Sequence, residues 1–157
     1  MSKANMEKIR VLYVDDEKIN LQAFRTTFKK DYEILLASSA KEARQLLSKN
    51  KVDIIITDQR MPQETGIEFF LSIKDAYPEP IRLLLTAYSD NQTVQDAVGN
   101  GLVYHYLTKP WEEKYFNNII RNAYEAYVLR KQVKDLQKEL LMVRQDLELS
   151  YRQNQIT

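Results

Sequence analysis

Four short apolar runs in this 157-residue chain end on side chains that can handle phosphate or a metal ion. Val11-Leu12-Tyr13-Val14 stops on Asp15 and Asp16, and the run from Val52 to Thr57 stops on Asp58. Ile81 to Leu85 ends on the hydroxyl of Thr86, and Val103 to Thr108 ends on Lys109 before Pro110. Ligands of an open parallel sheet bind beyond the carboxyl ends of its strands. If the four runs are neighbouring parallel strands, three acids, a hydroxyl and an amine converge on one pocket.

That inventory suits Mg²⁺-assisted phosphoryl transfer. Clustered and partly desolvated, Asp15, Asp16 and Asp58 would repel one another. A hard divalent cation that takes carboxylates, waters and phosphate oxygens relieves the repulsion. One carboxylate can then attack an incoming phosphorus and form an acyl phosphate. The Lys109 ammonium can pair first with the carboxylate and then with phosphoryl oxygens. The Thr86 hydroxyl can donate to the new group, whose charge all three would neutralise. Each residue alone has an ordinary alternative. Adjacent acids after a strand serve as solvated turns or helix caps, and aspartate is common where a strand meets a loop. Lys109-Pro110 alone could be a surface turn, and its proline admits a cis peptide. The set in one chain favours the chemistry.

The elements that must position these residues show in the hydrophobic pattern. Apolar, β-branched-rich runs near 9–14, 33–37, 52–57, 81–85 and 103–107 alternate with amphipathic stretches near 18–30, 40–49, 66–76, 90–99 and from 111 onward. Such alternation predicts an α/β fold with a five-stranded, doubly wound parallel sheet. Ser39, with Glu42 three residues on, predicts a capping box at the start of the second helix. The chain is 44% hydrophobic, enough for one domain with an extension. Its net charge of +1 argues for no nucleic-acid partner, and the lack of cysteine excludes disulfides and thiolate metal sites. No apolar stretch reaches the roughly 18–20 residues that span a bilayer. Residues 1–10 have no secretory core, so a cytoplasmic, non-membrane protein is expected.

Asp15-Asp16, Asp58 followed by Arg60-Met61-Pro62 and Gly66, then Thr86-Ala87, Tyr106 and Lys109-Pro110, resemble the receiver domain of bacterial two-component response regulators. The likeness covers roughly residues 7–125 and implies the flavodoxin-like receiver fold. It implies that Asp58 accepts a phosphoryl group from a phosphohistidine on a sensor histidine kinase or phosphotransfer protein. It also implies that Asp16 and Asp58 ligate Mg²⁺, with Asp15 nearby or acting through water and the Arg60 backbone carbonyl as a third protein ligand. Thr86 and Tyr106 would form the switch pair, the hydroxyl moving to the phosphate and the ring following inward. By itself, Tyr106 is a tyrosine packed in a strand. Arg60 and Tyr88, two residues beyond Asp58 and Thr86, are large enough to screen an acyl phosphate from water, which predicts slow hydrolysis. His105, the single histidine, falls within a strand and is expected to pack rather than to donate phosphate.

Leu129, Val133, Leu136, Leu140, Val143 and Leu147 follow one another at 4-3-4-3-4 spacing, the seam of a coiled coil. Glu139 and Arg144 then fall on flanking positions that can pair between parallel chains. No glycine or proline follows Pro110, so the last helix is expected to run unbroken to about Ser150, on the order of 60 Å. The expected division is a receiver at 1–125 and a coiled-coil helix, or a linker to an output domain beyond Thr157, at 126–157. The alternative for the tail is an amphipathic helix folded back on its own receiver.

Two activities thus stand open for the whole chain. One is a phosphorylation switch acting on the conformation or dimerisation of the C-terminal helix. The other is a constitutively dimeric adaptor whose receiver only recruits a kinase. Neither is an enzyme with an external substrate. An aspartyl phosphatase would want an acid where Arg60 stands, and a flavin carrier would not place Asp15-Asp16-Glu17 against a phosphate.

Overall fold

A computed structural model describes residues 7–87 and 92–156. Its strands are β1 (Ile9–Val14), β2 (Tyr32–Ala37), β3 (Ile54–Asp58), β4 (Ile81–Thr86) and β5 (His105–Thr108). The helices between and after them are α1 (Lys18–Phe28), α2 (Ala40–Lys49), α3 (Gly66–Ile73), α4 (Gln92–Gly99) and α5 (Glu113–Ile156). All strands pair in parallel, in the order β2-β1-β3-β4-β5. This is the doubly wound α/β sheet that the strand–helix alternation predicts. The order reverses between β1 and β3, so the carboxyl ends of those two strands border the crevice where such sheets bind ligands.

Successive side chains of a strand point to opposite faces, and the core divides accordingly. Leu12, Val14, Ile55 and Leu84 face α2, α3 and α4, where Ala43, Phe69, Phe70 and Val94 cover them. Val11, Tyr13, Ile54, Ile56 and Leu83 face α1 and α5, under Phe24, Phe28, Phe116 and Ile120. All five residues of β3 are buried, which is why its sequence lacks polar alternation. Each fully buried large side chain contributes roughly 1.5–3 kcal/mol relative to exposure. Tyr13 and Phe24 stack with ring centroids 4.3 Å apart, and Trp111 meets Phe116 edge-on at 5.0 Å, fixing where α5 begins.

Some details differ from the expected elements. The fifth strand starts at His105 rather than 103, because the Val103 amide donates to the Ala97 carbonyl at the end of α4. The capping box at Ser39 is only half made. Ser39 accepts from the Glu42 amide, but the Glu42 carboxylate accepts from the amide and hydroxyl of Ser38 instead. The reciprocal box forms at α3, between Thr65 and Glu68. The Lys109–Pro110 peptide is cis.

Helix α5 is a single element of 44 residues, about 66 Å long. Phe116, Ile120, Ala123 and Tyr127 bury one stripe of it against the sheet. From Leu129 to Gln155 every residue is exposed, including the predicted seam, whose exposures run from 53% at Val133 and Val143 to 65% at Leu147. The seam therefore does not fold back onto the chain's own receiver fold.

Candidate functional site

The carboxyl ends of β1 and β3 bring together the acids that the sequence singles out. Oxygen atoms of Asp15, Asp16 and Asp58 lie within 4.8 Å of one another. Asp15 and Asp58 are buried, at 0% and 5% exposure, whereas Asp16 stands in solvent. Thr86, at the end of β4, is 4% exposed. Lys109 reaches back from beyond β5, and its Nζ lies 3.0 Å from Asp58 Oδ1. The Lys109 amide donates to the Thr86 carbonyl, so the loop carrying the lysine is tied to the strand carrying the hydroxyl.

Burial pushes the Asp58 carboxyl above the usual carboxylate range. The Lys109 hydrogen bond and charge oppose that rise, and the charges of Asp15 and Asp16 add to it. Lys109 is thus paired with Asp58, while two further acids stand beside it. A hard cation fits this donor set, because it would relieve the repulsion among three clustered carboxylates.

The loop after Asp58 packs tightly. A Cβ on Gly66 would sit 2.6 Å from the Asp58 carbonyl oxygen and 2.8 Å from Leu84, so only glycine lets α3 start this close to β3. Gln59 holds the same turn, its side-chain oxygen accepting from the Ile67 amide and its carbonyl from the Gly66 amide. Arg60 lies in this loop, exposed. Tyr88, its expected companion, lies outside the described residues. Tyr106 is half-buried against the α2–α4 face, paired in register with Leu84, two steps before the Thr86–Thr108 pair. His105 is likewise half-buried, with its ring centroid 5.7 Å from that of Tyr106.

Several contributors escape a sequence reading. Asp15 accepts three hydrogen bonds, from the Glu17 amide at 2.9 Å and from Tyr13 Oη and Asn20 Nδ2 at 3.1 Å each. The Tyr13 contact was available in principle, since residues two apart in a strand share a face. Burial and the Asp15 charge push the Tyr13 hydroxyl pKa upward, so it remains a donor. Arg44 of α2 grips Glu64 through two bonds of 2.8 and 3.0 Å, clamping the loop that follows Asp58. At the far end of the sheet, buried Asp53 accepts from the Arg10 guanidinium and amide, joining the starts of β1 and β3.

A family model described as the response regulator receiver domain matches residues 11–121. The chain belongs to this family. Receivers of response regulators are regulatory domains of two-component systems rather than classical enzymes, and they bind Mg²⁺ through acidic residues. The hydrogenase transcriptional regulatory protein HoxA of Cupriavidus necator is 37% identical over 130 residues, which cover 83% of this chain and 27% of that protein. The regulatory protein AtoC of Escherichia coli is 26% identical over 132 residues, 83% of this chain and 28% of AtoC. This receiver thus matches about a quarter of the length of those relatives. Among solved structures, a receiver domain protein from Clostridium thermocellum superposes with a TM-score of 0.71 at 31% identity, covering 77% of this chain and 98% of that one. No described helix of this receiver is long and apolar enough to cross a membrane.

Proposed function

We propose that this receiver accepts a phosphoryl group on Asp58 from a phosphohistidine of a sensor histidine kinase or phosphotransfer protein. The observation that carries this is the Asp58 carboxylate itself, buried at the switch point of the sheet, 3.0 Å from the Lys109 ammonium and within 4.8 Å of two further acids. An Asp58 oxygen attacks phosphorus, the bond from phosphorus to the imidazole nitrogen breaks, and the imidazole leaves with the electron pair. Lys109 then exchanges its carboxylate contact for a phosphoryl oxygen, and the Thr86 hydroxyl donates to another. Asp15, Asp16, Asp58 and the Arg60 carbonyl would hold Mg²⁺, which when bound supplies positive charge against the transferred group.

Movement of Thr86 toward the phosphate opens space beside β5, and Tyr106 turns inward from its half-buried position. The change alters the packing of α4, β5 and α5, and α5 carries it beyond residue 125 into the coiled-coil segment, 126–157. Phosphate acts only through its different affinity for the two conformations. HoxA is a transcriptional regulatory protein and AtoC a regulatory protein, and this chain matches about a quarter of each. The helix is thus the natural connection from this receiver to an output domain beyond Thr157. The exposed seam favours a parallel homodimer. Its flanking charges place Glu125 opposite Arg130 and Glu139 opposite Arg144 of a second chain, whereas an antiparallel pair would set like charges together.

Incubation with a small phosphoryl donor and Mg²⁺, followed by intact mass, tests the acceptor. The native protein is expected to gain one phosphoryl group and Asp58→Asn none. Labelling of Asp58→Asn would remove the assignment. In the same experiment Arg60→Ala is expected to lose its label severalfold faster, since Arg60 screens the acyl phosphate; an unchanged decay would deny it that role.

A further inference from the structure

At the N-terminal edge of the sheet, opposite Asp58, lies a cavity of about 630 Å³. Its walls are the end of α2, the approach to β3, the α3–β4 connection and the part of α5 that overhangs the sheet edge. Phe116, Ile120, Ala123 and Tyr127 are spaced 4-3-4 along the buried face of α5. The same face continues with Lys131, Lys134 and Lys138, again at 4-3-4 from Tyr127. The helix thus changes from apolar to cationic along one stripe, at the point where that stripe passes from the sheet to the cavity.

The opposite wall repeats the charge. Lys49 and Lys51 face the α5 lysines, and Arg130 adds a sixth cation against only two lining acids, Glu79 and Asp135. On a chain of net charge +1 this is a local concentration, not a reflection of overall composition. The α2 dipole accounts for Lys49 in the last turn of that helix, but not for the three lysines on α5. The Lys134–Glu79 contact, 3.3 Å and exposed on both sides, compensates little of it.

Below the cations the floor is apolar. Leu47, Val52, Pro80 and Tyr127 are buried there, and Tyr77 is half-buried. The volume lies in the range of roughly 300–1,000 Å³ typical of small-molecule sites. Seam residues Leu129, Val133 and Leu136 do not line it, and of the lining residues only Arg130 flanks the seam.

We propose that this cavity is a regulatory site for a phosphorylated small molecule with an aromatic body, of the nucleoside triphosphate class. Its phosphates would bridge Lys49 and Lys51 to the Lys131–Lys134–Lys138 stripe while its ring rests on the apolar floor. Bound there, it fixes the angle at which α5 leaves the receiver.

Calorimetric titration of the full chain with ATP, in chelator and at low salt, tests the site apart from the Asp58 centre. The expected result is saturable binding that weakens with salt and is unchanged in Asp58→Asn. Lys131→Glu combined with Lys138→Glu should weaken it about tenfold or more, whereas Lys41→Glu, exposed elsewhere on α2, should leave it intact. Tripolyphosphate should bind more weakly than ATP, because it has no ring for the floor. Circular dichroism confirms that the variants remain folded, as expected for exposed positions. Absence of binding up to about 1 mM, survival of binding in the double reversal, or equal binding of tripolyphosphate would each overturn the proposal.

Discussion

Asp15 shows how a buried carboxylate is held by its own neighbours. A carboxylate has about four acceptor positions, and Tyr13, Asn20 and the Glu17 amide use three of them. Tyr13→Phe keeps the ring and its stacking on Phe24 but leaves an acceptor unpaired in a site with no exposure. We expect it to cost about 1–2 kcal/mol in metal-free protein. Saturating Mg²⁺ should restore part of that loss, since a cation compensates the same carboxylate. Thermal unfolding with and without Mg²⁺ checks this, and a metal-dependent gain no larger than in the native protein would contradict it. Asp58 carries a pH signature. Its carboxyl is raised by burial, so the folded chain holds that proton more tightly than the unfolded chain does. The group's contribution to stability is then greatest below the ordinary carboxylate pKa and declines as pH rises through the folded value. Metal-free Asp58→Asn should therefore be more stable than the native protein at neutral pH, by about 3 °C in Tm per kcal/mol recovered. The difference should shrink on acidification below the carboxylate range, and a gap independent of pH would contradict the assignment. The acids, Thr86 and Lys109 were legible because each ends an apolar run. Tyr13 was hidden as an ordinary strand residue, and Asn20 joins Asp15 only once the start of α1 is placed.

At the scale of elements, the strands were readable because burial on both faces removes polar alternation, as in Ile54-Ile55-Ile56. Ends were less readable, since competing hydrogen bonds set them. The Glu42 carboxylate prefers Ser38, and Val103 donates to α4 rather than to β4. Thr65, with Glu68 three residues on, has the same capping-box spacing as Ser39 and caps α3, whereas Glu64 binds Arg44 from another element. Such a pairing needs the tertiary fold to exist. Helix α5 was legible as far as about Ser150, because no glycine or proline interrupts it, and the structure carries it on to Ile156. Leu136→Lys with Leu140→Lys should abolish pairing of α5, since each leucine buried in a seam contributes roughly 1.5–3 kcal/mol. Both side chains are exposed in the single chain, at 63% and 60%, so unfolding of the receiver should hardly change. Sedimentation and thermal unfolding of the double variant check the two halves of this statement. Sedimentation is run with Mg²⁺ and the phosphoryl mimic beryllofluoride, where the native protein is expected to be a dimer. A double variant still dimeric there would show that the seam is not the interface.

Over the whole molecule, two chemically distinct ends meet on one helix. The carboxyl edge of the sheet gathers acids around Asp58, and the amino edge gathers cations around α5. Between them, α5 packs on β4 and β3, and β4 pairs with β5. Arg130 lies 5.6 Å over the Tyr104 ring, two residues before Tyr106, at a flanking position of the seam. On the proposed mechanism, a change at Tyr106 would reach the pairing surface through Tyr104 and Arg130. The account stands on the claim that the state of Asp58 governs how α5 assembles. The direct measurement is solution mass by light scattering, with and without Mg²⁺ and the phosphoryl mimic beryllofluoride, on native protein and Asp58→Asn. The account predicts a mass that rises from monomer to dimer only with the mimic and only with Asp58 intact. The same mass in every condition would contradict it, and a dimer throughout would make the helix a permanent scaffold to which the receiver recruits a kinase.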